Sequence, residues 1–516
     1  MLVQNLLTTA AQRWPDNVAL VAGGCQFTFC DLDERSARFA AGLQRLGIRR
    51  GDRVAAMLEN SAEFVIAMWG ALKAGAVFVP VNQAAKGQTL GFVLADAGAK
   101  CLITQPSFQA RITEAEPLFP PGMTMIWTGS AASGLRFDDV LAPPDAPPAD
   151  TGLIDQDLCL LIYTSGSTGS PKGVMLTHAA VRNNAQVISS YLNAVPEDVV
   201  LCVLPLFFGY GLFQIFTGAH AGFKVVLERS FAFPVEVLKQ IVKHRVTALP
   251  GVPSLFARIL DFAPFADFDL SALRYVTNAA APLPPAHIAR LRETLPAVQI
   301  YSMYGLTECT RVCFMDPARL DMKIASVGRA MPNCEAYVVD EAGERCAPGE
   351  VGELVVRGAN LMRGYWGRPA DTAKVLRDGP IQGEKLLHTG DLFYADAEGD
   401  LFFVGRRDDV FKCRGEKVSP RQVENVLHEF PGVAEAAIVG IPDAVDGRAV
   451  KAFVVMREGE AATPEAVRKF CMARLEPPLV PKFVEFCETL PKTESGKVTR
   501  RVLREREEGE ARPCAE

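Results

Sequence analysis

Short β-branched segments alternate with amphipathic helical segments along the chain. One example reads RVAAMLEN (53–60), SAEFVIAMWGALKAG (61–75) and AVFVPV (76–81), which predicts a strand, a helix and a second strand. Parallel strands need a crossover of this kind, and strands buried on both faces read as nearly continuous apolar runs. Similar units recur, so we expect an α/β chain with substantially parallel sheets. The proline-rich APPDAPPAD (142–150) breaks the pattern and is expected to form an exposed connector between subdomains.

Length and changes in pattern predict two domains. A chain of 516 residues exceeds what one core usually serves. From about Gly343, short strands with glycine turns indicate a small β-rich portion, and after GRRDD (405–409) a helix and a strand follow with an apolar face of their own. We therefore expect an N-terminal domain of α/β subdomains, residues 1–407, and a compact α+β C-terminal domain, residues 408–516, with the boundary at Asp408.

Charge and hydropathy exclude two classes of partner. The net charge is −6, from 54 basic and 60 acidic residues, and no basic block is interleaved with aromatic residues. Such a chain offers no electrostatic footprint for nucleic acid. The most apolar stretches, residues 64–81 and 201–216, are interrupted by lysine, glycine or proline and are too short to span a membrane, so we expect both in a protein core.

The cysteines and the N-terminus indicate a cytoplasmic protein. The 13 cysteines form no CxxC pair and lie mostly in apolar segments, which predicts buried free thiols in a reducing compartment. Cys309 and Cys313 are spaced like a metal pair, but two ligands without further partners favour a core or pocket wall. The N-terminus has no basic region and meets Pro15, so it predicts an amphipathic helix and not a signal peptide.

A polar, glycine-containing loop follows an apolar run in LIYTSGSTGSPKGVMLTH, residues 161–178. Its glycines can turn backbone amides inward, its hydroxyls add donors, and its lysine adds a point charge, so the segment is suited to wrap an anion. The candidate phosphate ligands are Thr164, Ser165, Gly166, Ser167, Thr168, Gly169 and Lys172. The spacing is not that of a Walker A loop, because Pro171 stands where that motif demands glycine. By itself the segment is equally compatible with a flexible surface loop.

The segment YTSGSTGSPKGV resembles the phosphate loop of the adenylate-forming superfamily, which includes acyl-CoA and aryl-CoA synthetases, non-ribosomal peptide adenylation domains and beetle luciferases. The expected companions follow in order: YGLTE (304–308), HTGDL (388–392), GRRDDVFKCRGEKVSP (405–420) and LPKTESGK (490–497). The resemblance spans essentially the whole chain. It implies attack of a carboxylate on the α-phosphate of ATP, giving an acyl-adenylate and pyrophosphate, with Mg²⁺ and fixed positive charge offsetting the repulsion between anions.

The resemblance also implies roles for single residues. Lys497 would bridge the carboxylate and phosphate oxygens, Glu308 would bind Mg²⁺, and Thr307 would contact the α-phosphate. Tyr304 would stack on adenine, although it could equally cap a core edge. The remaining nucleotide ligands would be Asn278, Ala279 and Ala280 beside adenine, Asp391 at both ribose hydroxyls, and Arg406 at the ribose or phosphate.

Two lysines suggest a two-step cycle with a mobile C-terminal domain. In the family this domain presents the counterpart of Lys497 for adenylation, then rotates about the counterpart of Asp408, and the face that contains Lys412 completes a tunnel for a thiol. The thiol attacks the acyl-adenylate and releases AMP. Coenzyme A is the expected acceptor. The alternative is the phosphopantetheine arm of a carrier protein, which delivers the same thiol.

The segment between Asp198 and Lys224 predicts an apolar acid substrate. It contains no charged side chain, and a buried ammonium without a counter-charge would be costly, which argues against an ordinary amino acid. The candidate pocket walls are Phe207, Phe208, Tyr210 and Phe213, each of which could equally be core. Many acyl-CoA synthetases have histidine where this chain has Phe208, so that histidine's role cannot be transferred.

Arg311 is the unusual polar residue near this pocket. It could recognise a second carboxylate or carbonyl on the substrate, while an ion pair with Asp316 is the simpler interpretation. Two other functions remain as alternatives. A non-catalytic nucleotide-binding protein would be expected to lack Lys497, Glu308 or the glycine loop, and all are present. A luciferase-type oxygenase would be distinguished by light emission or oxygen uptake.

Overall fold

A nine-stranded sheet is the largest sheet in the described part of the chain. The computed structural model describes residues 1–130, 134–143, 146–164, 171–261, 265–414, 416–443, 446–492 and 498–510. Six neighbouring strands run parallel, and antiparallel strands flank them at both edges. In spatial order the strands are β16 (Arg329–Ala330), β15 (Cys313–Phe314), β14 (Gln299–Tyr304), β13 (Tyr275–Asn278), β12 (Ala248–Gly251), β10 (Val199–Cys202), β11 (Lys224–Leu227), β1 (Val18–Ala22) and β2 (Cys25–Thr28).

An eight-stranded sheet is the second large layer, and it too is mostly parallel. Its antiparallel edge contains the hairpin that brackets the glycine-containing loop. In spatial order the strands are β19 (Gly364–Tyr365), β9 (Lys172–Thr177), β8 (Leu158–Thr164), β4 (Val77–Pro80), β3 (Arg53–Met57), β5 (Ala99–Thr104), β6 (Thr124–Trp127) and β7 (Leu135–Arg136).

A five-stranded antiparallel sheet follows, as expected for the β-rich portion. It begins at Cys334 and not at about Gly343, because its first strand, CEAYVV, contains no glycine or proline to mark the change of structure. Its strands are β17 (Cys334–Val339), β18 (Gly352–Gly358), β20 (Leu376–Asp378), β21 (Lys385–Ala395) and β22 (Leu401–Arg406).

Two small sheets make up the C-terminal part of the chain. The residue expected as the domain boundary, Asp408, lies in the turn that connects β22 to the first of them. The strands are β23 (Phe411–Cys413) and β24 (Glu416–Val418) in a hairpin, and β25 (Val433–Asp443), β26 (Gly447–Met456) and β27 (Phe483–Phe486) in a mixed sheet. A separate apolar cluster fills this part, with Val423, Leu427 and Val454 among its buried members.

Helices cover the sheets. α3 and α8 are almost wholly buried, which is the expected outcome for the two most apolar stretches of the sequence. The helices are α1 (Gln4–Arg13), α2 (Phe29–Arg45), α3 (Ala62–Lys73), α4 (Gly87–Ala97), α5 (Gln109–Ala115), α6 (Phe137–Val140), α7 (His178–Tyr191), α8 (Gly209–Ala221), α9 (Pro234–His244), α10 (Pro253–Asp261), α11 (Pro285–Thr294), α12 (Pro369–Val375), α13 (Pro420–His428), α14 (Pro464–Met472) and α15 (Arg500–Glu510).

The predicted α/β class is confirmed, and one local prediction is wrong. β3, α3 and β4 form the expected strand–helix–strand unit, with the two strands parallel. The proline-rich segment connects β7 and β8, which belong to the same sheet, so it does not separate subdomains. Among the helices in the described ranges, none combines the length and the hydropathy needed to cross a membrane.

Helix α8 has two glycines that its close packing requires. A Cβ on Gly211 would overlap the carbonyl oxygen of Pro205, so only glycine allows the first turn to approach that loop. Gly222 ends the helix with φ +84°, and a Cβ there would lie 2.6 Å from the Trp14 ring. These constraints fix the helix that contains Tyr210 and Phe213.

Candidate active site

A hydrogen-bonded group joins the nine-stranded sheet to the five-stranded sheet. Tyr304, at the end of β14, donates a 2.7 Å hydrogen bond to Oδ2 of Asp391 on β21. Arg406, at the end of the neighbouring β22, places Nε 3.6 Å from the other carboxylate oxygen. Burial and the charge of Asp391 raise the pKa of Tyr304 well above its ordinary value, so its hydroxyl remains a donor. Three residues predicted to bind one nucleotide therefore lie together.

The backbone around Gly390 positions the Asp391 carboxylate. Gly390 has φ +70°, a conformation that favours glycine, and its N–H donates to Oε1 of Glu353 at 3.0 Å. Burial alone would raise the pKa of Glu353, but hydrogen bonds from His388 and Gly390 and the nearby charge of Arg407 outweigh it and lower the pKa to about 2. Glu353 is thus a charged acceptor that holds this turn in place.

Glu308 and Thr307 lie on the tight loop that follows β14. A Cβ on Gly305 would overlap the carbonyl oxygen of Thr310, so the loop folds back on itself only because this residue is glycine. The Tyr365 hydroxyl, on β19, donates a 2.7 Å hydrogen bond to Oε1 of Glu308. Burial and the Glu308 charge raise the pKa of Tyr365, so this donor also stays protonated. Thr307 is half-buried beside Glu308.

Lys172 lies at the start of β9, directly opposite Thr164 in the hairpin. Its Nζ is 3.2 Å from Oδ2 of Asp371 on α12 and 5.3 Å from the centroid of the Tyr365 ring. The other predicted phosphate ligands, Ser165 through Gly169, fall outside the described residues. Lys172, Tyr365 and Glu308 nevertheless form a continuous row from the hairpin to the loop after β14.

Asn278, Ala279 and Ala280 lie at the end of β13, beside Tyr304. The Asn278 side chain is buried and donates to the carbonyl oxygen of Ala281 at 2.9 Å, while its Oδ1 accepts no hydrogen bond from the described residues. Ala280 has φ +72°, which is uncommon for alanine. Tyr304 also packs against Phe393, with ring centroids 4.9 Å apart, so the tyrosine edges the core as well as the site.

A mostly apolar cavity lies beneath these strand ends. Three predicted acyl-pocket residues, Tyr210, Phe213 and Arg311, are on its wall. Phe207 and Phe208 are half-buried on the turn before α8 and do not line it, so their assignment stays a prediction. The full lining is Ile188, Ser189, Leu192, Ala194, Val200, Tyr210, Phe213, Gln214, Thr217, Phe223, Ala248, Pro250, Tyr275, Thr277, Met303 and Arg311.

The expected ion pair between Arg311 and Asp316 does not form. Arg311 is 4% exposed and faces the cavity, whereas Asp316 is exposed and accepts a hydrogen bond from the backbone N–H of Ala318. Thr310 has φ +62°, so the backbone turns at this residue, and the side chain of Arg311 after the turn faces the cavity. Five residues of sequence separation were therefore a poor guide to contact.

The two catalytic lysine candidates belong to the C-terminal part. Lys412 is exposed on β23, and no hydrogen bond or ion pair within the described ranges joins it to the group around Asp391. Lys497 lies outside the described residues. Next to the turn at Asp408, Asp409 makes ion pairs with Arg500 and Arg504 of α15. The structure therefore places Lys412 in the C-terminal part without testing either lysine's role.

Cys309 and Cys313 are fully buried, and no described cluster of three or more histidine, cysteine, aspartate or glutamate side chains could hold a metal ion. Every cysteine in the described ranges is a free thiol. The interpretation of the pair as core residues fits this burial, and the carboxylate of Glu308 remains the candidate ligand for a hard cation.

Three residues that contact the predicted site were not predicted from the sequence. Tyr365, Asp371 and Glu353 hold Glu308, Lys172 and the Gly390 turn, respectively. No motif marks them in the sequence. Their contacts depend on β19 pairing with β9 and on β18 pairing with β21, and such long-range pairing has no local signal.

Comparison with known families assigns both parts of the chain. A family model for AMP-binding enzymes matches residues 7–366, and a model for the AMP-binding enzyme C-terminal domain matches residues 422–497. Among curated proteins, the long-chain-fatty-acid–CoA ligase of Bacillus subtilis (strain 168) is 33% identical, with 98% of this chain and 94% of the relative covered. Feruloyl-CoA synthase of an Amycolatopsis species is 36% identical, with coverages of 96% and 97%.

Solved structures resemble the whole chain. An anthranilate CoA ligase in complex with anthranoyl-AMP superposes with a TM-score of 0.90 and 28% identity, covering 98% of this chain and 97% of that one. A benzoate CoA ligase from Burkholderia xenovorans LB400 gives a TM-score of 0.87 and 27% identity, covering 98% of this chain and 100% of that one. The likeness therefore extends over both parts of the molecule.

Proposed function

The chain belongs to the AMP-binding enzyme family of adenylate-forming proteins, and from this premise we propose that it is an AMP-forming acid–thiol ligase. It activates a carboxylic acid with ATP and transfers the acyl group to coenzyme A. The observation that carries the proposal is the adjacency of two sites. Thr277 and Met303 line the apolar cavity. The next residues in the chain are Asn278 and Tyr304, which are among the predicted nucleotide ligands.

The reaction has two balanced steps. In the first, a carboxylate oxygen bonds to the α-phosphorus of ATP, the bond from that phosphorus to the bridging oxygen breaks, and pyrophosphate leaves. In the second, the thiol sulfur bonds to the acyl carbon, the bond to the AMP oxygen breaks, and the thiol proton is lost. Both steps develop negative charge on phosphate oxygens, so fixed donors and cations accelerate them.

The residues fit a nucleotide. Asp391 can accept hydrogen bonds from ribose hydroxyls, and Arg406 lies where it supports the same carboxylate. The buried Asn278 Oδ1 accepts no hydrogen bond from the described residues, so it is suited to accept one from the adenine amino group. Lys172 supplies positive charge for the phosphates and exchanges its contact with Asp371 for them.

The residues also fit Mg²⁺. Glu308 offers the carboxylate oxygens that hard cations prefer, and the Tyr365 hydrogen bond orients that carboxylate, while Thr307 beside it offers its hydroxyl to the α-phosphate. A bound Mg²⁺ supplies charge neutralisation for the phosphates. Lys497 is assigned to the first step and Lys412 to the second. Between the steps, residues 408–516 rotate against residues 1–407 about Asp408.

The acid has an apolar acyl or aryl body. The cavity is lined mainly by aliphatic and aromatic side chains, and no described carboxylate is present on its wall to pair with an α-ammonium. The relatives named above act on long-chain fatty, ferulic, anthranilic and benzoic acids, as their names state, and these bodies share an apolar character. The alternative acceptor is the phosphopantetheine of a carrier protein, loaded by a stand-alone ligase.

The test is ATP–pyrophosphate exchange with Mg²⁺ across fatty, aromatic, dicarboxylic and amino acids, repeated with coenzyme A while AMP is measured. We expect exchange with one class of acid and AMP release that depends on coenzyme A. Exchange without any response to coenzyme A would favour the carrier-protein alternative. Absence of exchange with every acid would contradict the proposed ligase activity.

A further inference from the structure

Arg311 places a buried positive charge on the wall of the acid cavity. Its side chain is 4% exposed, and its Nε makes no hydrogen bond within the described ranges. In the part of the chain that the structure describes, no carboxylate lies within 4.0 Å of its guanidinium. A buried arginine without an acidic partner is rare, because removing the charge from water is costly.

The groups around Arg311 are polar or aromatic but neutral. The guanidinium carbon lies 5.2 Å from the centroid of the Tyr210 ring. Burial raises the pKa of Tyr191 to about 12 and also raises the pKa of Tyr210, in both cases against the opposing effect of the Arg311 charge. Neither phenol is therefore a counter-ion at neutral pH, and the positive charge of the cavity stays unbalanced.

Two contacts hold the backbone of Arg311 in place. Asn360, which is fully buried, donates a 2.7 Å hydrogen bond to the carbonyl oxygen of Arg311. The Gly305 backbone packs so closely that an added Cβ would lie 2.9 Å from the Arg311 Cα. A buried side chain on a backbone held in this way has little conformational freedom left to lose when a ligand binds.

We propose that the acid bound in this cavity carries a second anionic group, separate from the reacting carboxylate, and that Arg311 binds it. The substrate class is a dicarboxylic acid with an apolar body. This inference rests on the proposed function and refines it. The planar guanidinium matches a carboxylate in shape and charge, whereas a methyl terminus would leave the buried charge unpaired. The remainder of the wall, including Phe213 and Met303, would contact the apolar body.

The residues around the cavity orient the substrate. Tyr304 and Asn278 mark the nucleotide end, so the reacting carboxylate points toward them. Arg311 enters the cavity from the loop after β14, so the second anionic group binds at that wall. A site that pairs a buried charge discriminates strongly against an analogue without it, because the analogue leaves that charge unsatisfied.

The test compares acids that differ only at the distal end. ATP–pyrophosphate exchange is measured with linear and aromatic dicarboxylic acids, with the monocarboxylic acids of equal length, and with the monomethyl esters. The wild type is compared with Arg311→Met, which keeps a similar length without charge, and with Arg311→Lys. Arg345→Met serves as the control, because Arg345 is an exposed arginine between β17 and β18 that pairs with Glu335. Thermal unfolding confirms that each variant is folded.

We expect the wild type to prefer a diacid over its matched monoacid by about 100-fold in kcat/KM, mostly through KM. Arg311→Met should remove or reverse that preference, Arg311→Lys should retain part of it, and Arg345→Met should leave it unchanged. A wild type that prefers monoacids, or a ranking that Arg311→Met does not alter, overturns this inference while the ligase activity stands. Equal loss with all acids in Arg311→Met also overturns it, since Arg311 would then serve the reacting carboxylate. Absence of exchange with every acid overturns the proposed function and this inference together.

Discussion

The ammonium of Lys172 lies 3.2 Å from Oδ2 of Asp371, so the lysine assigned to the ATP phosphates already has an anionic partner. ATP must displace this contact. Asp371→Asn removes the competing charge, and we expect the KM for ATP to fall about two- to fivefold, the range that partly exposed ion pairs allow. Steady-state kinetics over ATP concentration measures the change.

The control for this prediction is Asp378→Asn, which removes an exposed carboxylate on β20 that pairs with Lys385. It should leave the KM for ATP unchanged. A KM that rises in Asp371→Asn would mean that Asp371 orients Lys172 for the phosphates and does not compete with them.

Tyr365→Phe tests how Glu308 is oriented. The substitution removes the 2.7 Å hydrogen bond to Glu308 but keeps the aromatic ring beneath Lys172. Loss of a group that orients a metal ligand typically weakens metal binding by 10- to 100-fold, so we expect the Mg²⁺ concentration for half-maximal exchange to rise about tenfold. Tyr337→Phe is the matched control, because that tyrosine stacks on Arg345 away from the site. An unchanged Mg²⁺ dependence would remove Tyr365 from the metal site.

The two lysines of the C-terminal part should separate the two half-reactions. Lys497→Ala should abolish adenylate formation yet largely spare thioester formation from supplied acyl-adenylate. Lys412→Ala should slow the thiol step and spare pyrophosphate exchange. Lys469→Ala, an exposed lysine on α14, is the control for loss of charge. Equal loss of both half-reactions in either test variant would refute this division of labour.

Acid should weaken the contact between α11 and α13. The rings of His287 and His428 lie 5.5 Å apart across it, and Arg290 and Arg457 add positive charge near His287. Burial, then the charge of His428, lowers the pKa of His287 to about 3, and burial also lowers the pKa of His428. Below about pH 6.5 these histidines bind protons in the unfolded state but not in the folded state. The free energy of unfolding is therefore highest above about pH 6.5 and falls as the pH is lowered toward 3.

For His287 alone the loss is at most about 1.4 kcal/mol per pH unit in that window. Thermal unfolding of the wild type, His287→Gln and His428→Gln from pH 8 to pH 5 measures it. Glu424 and Glu435 face His428 and oppose the effect there, so His287→Gln should flatten the pH dependence more than His428→Gln. Parallel curves for His287→Gln and the wild type would contradict the assignment.

Motifs predicted one part of the site and missed another for a physical reason. Tyr304, Asp391 and Arg406 meet as expected, because each lies at or near the end of a strand whose neighbours are fixed by the sheets. The Asp371 contact with Lys172 was not predicted, because it joins α12 to a hairpin far earlier in the chain. The predicted Arg311–Asp316 pair is wrong, because nearness in sequence ignores the turn that directs Arg311 inward.

The same contrast applies to the fold. The alternation that predicted β3, α3 and β4 is local, so the sequence contains it in full. Which strand lies beside which is not local. The proline-rich segment was predicted to connect subdomains, yet β7 and β8 on either side of it belong to the same sheet. Hydrogen bonds with the strands between them, and not the connecting segment, decide which sheet a strand joins.

Strands β13 and β14 each have one residue on the cavity wall, Thr277 and Met303, followed directly by a predicted nucleotide ligand, Asn278 and Tyr304. Consecutive side chains on a strand point to opposite faces, and the rise is about 3.3 Å per residue, so the strand backbone fixes the distance between the two sites. A substitution at Thr277 or Met303 would reshape the space for the acid while the backbone keeps its distance to the nucleotide. Substitutions on the cavity wall can therefore change which acid is bound and leave the geometry of the nucleotide site unchanged.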